Sequence, residues 1–237
     1  MVLVIGHRGY SAKYPENTIA AFLGAFVHGA DGVELDVWLS GDGIPVVIHD
    51  PDTTRVSGVH LEVKKSTVNE LRRVYLGMGQ TIPTLEEVLA SIPKGKTLIV
   101  EIKDVDAVET VVQLINRYGR VEDTVIVSFL KEALVKTREL SGEIRIGVNI
   151  DSLDKLNWSL SKKDELKLFS LNPPIEGLRM FKFMAQTYAR MVKSAGLKIY
   201  VWTVNDPEEA REWAKHVDGF ITDNVEALVK ALKYDSS

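Results

Sequence analysis

Short runs of valine, isoleucine and leucine alternate along this chain with stretches whose apolar residues recur every three to four positions. The runs fall near 2–6, 32–37, 97–102, 124–128, 144–149, 166–171, 197–202 and 218–222. They lack strict polar alternation, as expected of parallel strands buried on both faces. The stretches between them predict amphipathic helices. Ile19, Phe22, Leu23, Phe26 and Val27 mark one helix face ending before Gly29, and Val108, Val111, Val112 and Ile115 another ending before Gly119. Thr84 with Glu87 reads as a capping box ahead of Leu85, Val88, Leu89 and Ile92. Asp206, Pro207 and Glu209 supply a cap, a first-turn proline and an acid at the third helical position. Val225, Leu228, Val229 and Leu232 form the last helix, before a short polar tail to Ser237.

Eight parallel strands with intervening helices predict an α/β fold, a TIM (β/α)8 barrel spanning 1–237 as one domain. An open doubly wound sheet is the alternative. Two stretches break the rhythm. Residues 38–83 are too long for one barrel loop and begin as a hairpin, with Ser40-Gly41-Asp42-Gly43 at its tip. A turn centred on Gly41-Asp42 sets His49 opposite Glu34, and one centred on Asp42-Gly43 sets it opposite Asp36. The rest, 50–83, is expected to be a small insertion after the second strand, with a short helix around 67–75, capping the site. Asn172-Pro173-Pro174-Ile175 is read as a turn that stops any helix there.

Composition narrows the classes. At 237 residues and 45% hydrophobic content the chain can bury a substantial core. A net charge of −4 with scattered basic residues points away from nucleic acid as a partner. There are no cysteines, which excludes disulfides, thiolate metal sites and a cysteine nucleophile. No apolar run approaches the ~20 residues of a membrane helix, and Val2-Leu3-Val4-Ile5 leads directly into candidate chemistry, so a cytoplasmic protein is expected.

That chemistry gathers at strand ends. Glu34 and Asp36 are two apart on one strand, so both project to the same face. Carboxylates that close repel unless a proton or a cation intervenes. Glu101 holds the matching place on the third strand, and the three acids make an oxygen-rich site suited to one divalent cation, Mg²⁺ first, with Ca²⁺ or Mn²⁺ as alternatives. His7 and His49 are the candidates for proton transfer near neutral pH. Arg8 offers a planar fork for phosphate oxygens. Lys103, two residues past Glu101, points the same way as a point charge. A Schiff-base role for Lys103 is the competing reading, but surrounding acids would hold that amine protonated. Asn17 or Thr18 is a good N-cap for the first helix, Trp202 and Asn205 can line a pocket, and Thr222-Asp223 is expected to cap the last helix.

Taken in order, these residues resemble the glycerophosphodiester phosphodiesterase family. The matching pieces are His7-Arg8-Gly9, Pro15-Glu16-Asn17-Thr18, Gly29 to Val37, Pro45 to Asp50, Ile82 to Leu89, Glu101-Ile102-Lys103, Trp202 to Asn205 and Gly219 to Asp223. The resemblance implies a TIM barrel with a small insertion after its second strand. It also implies metal-dependent hydrolysis of a small-molecule glycerophosphodiester to glycerol 3-phosphate and an alcohol. His7 and His49 would be the acid–base pair, acting through a cyclic phosphate. Glu34, Asp36 and Glu101 would be the metal ligands, and Arg8, Lys103, Asn17 and Trp202 the substrate contacts. The same chemistry on a lysophospholipid, a lysophospholipase D, is the alternative, for which Phe181, Phe183 and Met184 could supply an apolar surface. The head group, the oligomeric state and the order in which the histidines act are left open by the sequence.

Overall fold

The computed structural model of the chain describes residues 2–180 and 182–234. Its strands in chain order are β1 (Leu3–Gly6), β2 (Gly32–Leu39), β3 (Pro45–Val47), β4 (Tyr75–Gly77), β5 (Gln80–Thr81), β6 (Thr97–Ile102), β7 (Thr124–Ser128), β8 (Arg145–Asn149), β9 (Leu168–Asn172), β10 (Lys198–Val201) and β11 (Gly219–Thr222). Eight of them pair in parallel in the order β1, β11, β10, β9, β8, β7, β6, β2, and β2 pairs back with β1. The sheet is therefore closed, and the chain is an eight-stranded barrel, not an open doubly wound sheet.

Strand parity divides the molecule into an inside and an outside. Val33, Leu35 and Val37 of β2 and Leu98, Val100 and Ile102 of β6 face outward into the layer shared with the helices. Fully burying each such side chain contributes about 1.5–3 kcal/mol, so the register of β2 and β6 is strongly specified. The alternate residues face inward. Ile5, Ile99, Val125, Val127, Tyr200 and Ile221 fill the lower barrel as a separate apolar plug. Above the plug the inward positions become Glu34, Asp36, Glu101 and Asn149. Parallel register sets Asp36 directly beside Glu101. The polar site thus sits on an apolar floor at the C-terminal mouth, where barrel enzymes build their sites.

The expected helix caps form. Thr18 accepts from Ala21 N, Thr84 and Glu87 make a reciprocal capping box, and Asp206 accepts from Glu208 N with Pro207 in the first turn. The last helix is capped by Asn224, not by Thr222 or Asp223, because Asp223 is engaged elsewhere. The hairpin register falls between the two alternatives read from the sequence. β2 and β3 pair Val37 with Val47 and Leu39 with Pro45, around a five-residue loop, Ser40–Ile44. Ser40 Oγ bonds Asp42 and accepts from Ile44 N, and Gly43 takes φ +78°, so the loop closes on Asp42 itself. This odd-numbered loop sets His49 past the end of the ladder, diagonal to Glu34 and Asp36. Residues after Pro173-Pro174 form a helix at once, Ile175–Met180; the prolines end the preceding strand without barring the helix that follows.

Between β3 and the helix Leu85–Ser91 the chain makes a short helix (Thr54–Ser57), a 3-10 turn (Val63–Lys65), a one-turn helix (Val68–Leu71) and the β4–β5 hairpin. The helix expected around 67–75 is shorter, a single turn opened by a Thr67–Glu70 capping box. This segment packs its own cluster of Val63, Val68, Leu71, Val74 and Ile82 against Val46 and Ile48 of the first hairpin. Phe181 lies outside the described residues, as do the side chains of Phe183 and Met184. Among the described residues no helix is long and apolar enough to cross a membrane.

Candidate active site

A cavity of about 170 Å³ opens at the barrel mouth, lined by His7, Arg8, Glu34, Asp36, His49, Glu101, Lys103 and Trp202. Asn149, Phe129 and Thr203 join them, over a floor of Ile99, Val127 and Ile221. Of the predicted site and pocket residues, the structure brings all to this cavity except Asn17 and Asn205. Asn17 is 2% exposed and stands behind the acids. Its amide donates to Asp36 Oδ2 at 2.9 Å and accepts from Asp36 N at 3.3 Å. Its backbone, at φ +56°, donates to Arg8 O. With both ends of the amide engaged, Asn17 orients a carboxylate and does not face the cavity.

Carboxylate oxygens of Glu34, Asp36 and Glu101 lie within 4.8 Å of one another, and all three residues are buried. Burial first, and the charge of Asp36 next, pushes Glu34 up to about 8 and Glu101 up to about 7. Burial opposes charge on Asp36 as well, but Lys103, Arg8 and the Asn17 amide outweigh it and hold that group below its ordinary value. Lys103 Nζ is 3.1 Å from Asp36 Oδ1 and 2.5 Å from Glu101 Oε1. Its pKa is raised despite burial, because these acids surround it, which removes the free amine a Schiff base requires. Arg8 N donates to Glu34 Oε2 at 3.0 Å and Arg8 Nε lies 3.4 Å from Asp36 Oδ2. Asn149 donates to Glu101 Oε2 at 3.0 Å and accepts from Asn172 Nδ2 at 3.1 Å. Buried, crowded and oxygen-rich, the triad has the donor chemistry of a divalent cation site. It could hold one such ion.

Each histidine has a carboxylate on Nδ1. His7 Nδ1 is 2.7 Å from Asp223 Oδ1, and His49 Nδ1 is 2.7 Å from Asp50 Oδ1. Both rings are thereby fixed with Nδ1 engaged, leaving Nε2 to face other groups. Their environments differ. For His7, burial lowers the pKa, but the Asp223 bond and the charge of Glu34 exceed it and the net shift is upward. For His49, burial prevails over Asp36 and Asp50, and the shift is downward. Asp223 is held at about 2: burial raises it, and His7, Asn205 and Ser11 more than compensate.

Gly9 completes the His-Arg-Gly run for a packing reason. It lies at φ +85°, and a Cβ there would sit 2.5 Å from the backbone of Ala21. Trp202 lines the wall with its indole N–H bonded to Asn172 O, edge-on to Phe129 at 5.8 Å. Asn205 does not line the cavity; it donates to Asp223 Oδ2 and accepts from Asp223 N. Asp223, Asp50, Glu16, Asn149 and Phe129 are the site's unforeseen members. Asn149 ends its strand as Glu101 ends its own, a signal available in the sequence. Nothing local to Asp223 distinguishes a histidine partner from a helix cap.

Residues 7–227 match the model of the glycerophosphoryl diester phosphodiesterase family. The chain is 33% identical to a glycerophosphodiester phosphodiesterase of Caldanaerobacter subterraneus, over 98% of each chain. It is 32% identical to a putative glycerophosphodiester phosphodiesterase of Bacillus subtilis, over 98% of this chain and 99% of that one. Among solved structures, it superposes on a glycerophosphodiester phosphodiesterase from Thermotoga maritima with a TM-score of 0.86 and 35% identity, covering 97% of this chain and 98% of that one. A phosphodiesterase from Oleispira antarctica, in complex with the product sn-glycerol-3-phosphate, gives 0.87 and 28% identity, covering 97% and 96%.

Proposed function

Because this chain belongs to the glycerophosphoryl diester phosphodiesterase family and is an enzyme of that activity, we propose that His7 and His49 perform the proton transfers, beside one divalent cation, Mg²⁺, held by Glu34, Asp36 and Glu101. The observation that carries this reading is the convergence on one cavity of three buried carboxylates and two carboxylate-backed histidines. When bound, the cation supplies positive charge for the phosphoryl oxygens. The chain's own residues do the rest. Arg8 and Lys103 orient the phosphate and offset charge on its non-bridging oxygens, usually the largest contribution to such catalysis. Trp202 and Phe129 form an aromatic wall at the cavity. Asn17 and Asn149 hold Asp36 and Glu101 in place.

In the first step one histidine takes the proton of the glycerol 2-hydroxyl as its oxygen bonds to phosphorus. The other gives a proton to the departing alcohol oxygen, leaving a five-membered cyclic phosphate. In the second step water adds to phosphorus and the ring opens to glycerol 3-phosphate, with the histidine roles exchanged. Each placed proton transfer is worth about 10²–10⁴-fold. The opposite directions of the two shifts suit this scheme, since they favour the protonated form of His7 and the neutral form of His49. The test is release of glycerol 3-phosphate from a panel of glycerophosphodiesters after chelation and with Mg²⁺, Mn²⁺ or Ca²⁺ restored. Near-normal turnover by the His7→Ala/His49→Ala double variant, or by the chelated enzyme, would overturn the scheme.

A further inference from the structure

Arg55 has no part in the chemistry above and does not line the cavity. It sits on the short helix Thr54–Ser57 that follows His49-Asp50, with its side chain 47% exposed. Its guanidinium nevertheless joins the two halves of the site. Nε donates to Asp50 Oδ2 at 2.5 Å, while Nη1 and Nη2 donate to Glu16 Oε2 at 2.9 Å and Oε1 at 2.7 Å. Both acceptors are themselves bonded to residues that do line the cavity. Asp50 Oδ1 engages His49 Nδ1, and Glu16 Oε1 accepts from Arg8 Nη1 at 2.9 Å. The five side chains form one path: His49, Asp50, Arg55, Glu16, Arg8.

From this path we infer that Arg55 is a positioning residue that fixes His49 relative to Arg8, and so relative to the phosphate. The inference rests on the roles proposed above for those two residues. Three features support it. Asp50 and Glu16 arrive from different loops, one after β3 and one after β1, and among the described residues Arg55 is the side chain that bonds both carboxylates. The contact needs a fork: one edge engages Glu16 with two N–H groups while Nε turns to Asp50, which a lysine ammonium cannot reproduce. Finally, Arg55 is not needed to hold its segment, which is anchored by the buried cluster of Val63, Val68, Leu71, Val74 and Ile82. Lys64 adds a separate tie to Asp104 at 2.9 Å. Loss of Arg55 should therefore loosen His49 and Arg8 and leave the fold standing.

The experiment compares wild type, Arg55→Ala and Arg55→Lys on sn-glycero-3-phosphocholine in Mg²⁺ buffer, with Tm measured alongside. For Arg55→Ala, kcat should fall about 10²-fold, the cost of a misplaced catalytic group, with KM changing far less. Tm should move by no more than about 4 °C, as an exposed ion pair allows. Guanidinium ion at millimolar concentration should restore a large part of the lost kcat. Arg55→Lys should recover only part of it, since it keeps the charge and loses the fork. An Arg55→Ala kcat within threefold of wild type overturns the inference, and so does a fall at unchanged Tm that guanidinium does not relieve. If Arg55→Ala does not fold, Arg55→Lys carries the test: wild-type kcat in that variant overturns the inference, and a substantial loss at wild-type Tm supports it. An inactive wild type would instead overturn the functional reading itself.

Discussion

Replacing Asp223 by asparagine tests how far His7 depends on a group whose importance is invisible locally. Asp223 Oδ1 engages His7 Nδ1 at 2.7 Å and Ser11 Oγ at 2.9 Å, while Oδ2 accepts from Asn205 at 2.8 Å. An amide has one oxygen. If it faces His7, its NH₂ meets the Asn205 NH₂; if it faces Asn205, two donors meet at His7. Asn205 cannot turn over to help, because its own oxygen accepts from Thr222 Oγ1 and Asp223 N. A carboxyl held at about 2 against its ordinary 3.8 corresponds to about 2.5 kcal/mol at full strength. The side chain is 35% exposed, so solvent screening reduces this to roughly 1 kcal/mol of stability. Asp223 is depressed, so its contribution is complete above pH 3.8 and disappears as pH falls toward 2. His7 is raised, so its share is present below 6.5 and disappears as pH rises through its folded value. Wild type and Asp223→Asn should thus differ most between these limits and converge in strong acid. In activity, His7 loses an anion and its preferred tautomer. We expect kcat to fall about 10²–10³-fold, with little change in KM. The alkaline limb of the pH profile should move to lower pH. Steady-state kinetics from pH 4 to 10 with parallel thermal melts measures both effects. An unchanged alkaline limb with kcat within threefold would refute the assignment of Asp223 to His7.

Four further outcomes follow from the same geometry. Asp50→Asn should move the acid limb to lower pH, because His49 is already below its ordinary value and loses the anion that opposes that shift; the profile then widens on its acid side, whereas Asp223→Asn narrows the alkaline side. Saturating Mg²⁺ should raise Tm of the chelated protein by an amount equivalent to about 2.7 kcal/mol at a hundred times Kd, and Glu101→Gln should lose that response. Asn17→Gly, which keeps the φ +56° backbone and removes the amide, should weaken Mg²⁺ binding about 10–100-fold by calorimetry; unchanged affinity would leave Asn17 a backbone residue only. A substrate with a nitrophenol leaving group should rescue the histidine variant that lacks the acid and not the other, and rescue of both or neither would contradict the division of labour.

Most of the barrel was legible because each of its strands obeys one rule. Val33, Leu35 and Val37 point outward and Glu34 and Asp36 inward by parity alone, and Glu101 repeats the pattern one strand over. Local caps such as Thr84 with Glu87 were legible because both partners lie within one turn. What escaped needed long-range or odd-numbered geometry. The His49 register depended on whether the loop from Ser40 to Ile44 closed on a bond or on a residue, and both patterns offer the same glycines. Asp223 lies 216 residues from His7 and reaches it only because β1 and β11 are neighbours in the closed sheet. Asn17 stands behind the site with both ends of its amide taken by Asp36, a pairing across 19 residues that no local pattern announces.

The alternation along β2 also binds two kinds of fitness together. The residues that anchor the barrel to its helices and those that gather the carboxylates are interleaved one for one, so neither set can change frame without the other. A deletion of Val33 that kept the start of the strand in register would turn Glu34 and Asp36 into the helix layer and Leu35 toward the cavity. Loops can lengthen or shorten in a lineage without that penalty. Within the strand, mutational drift is confined to substitution, and insertions or deletions there should be purged as unfolded protein before any assay of activity could detect them.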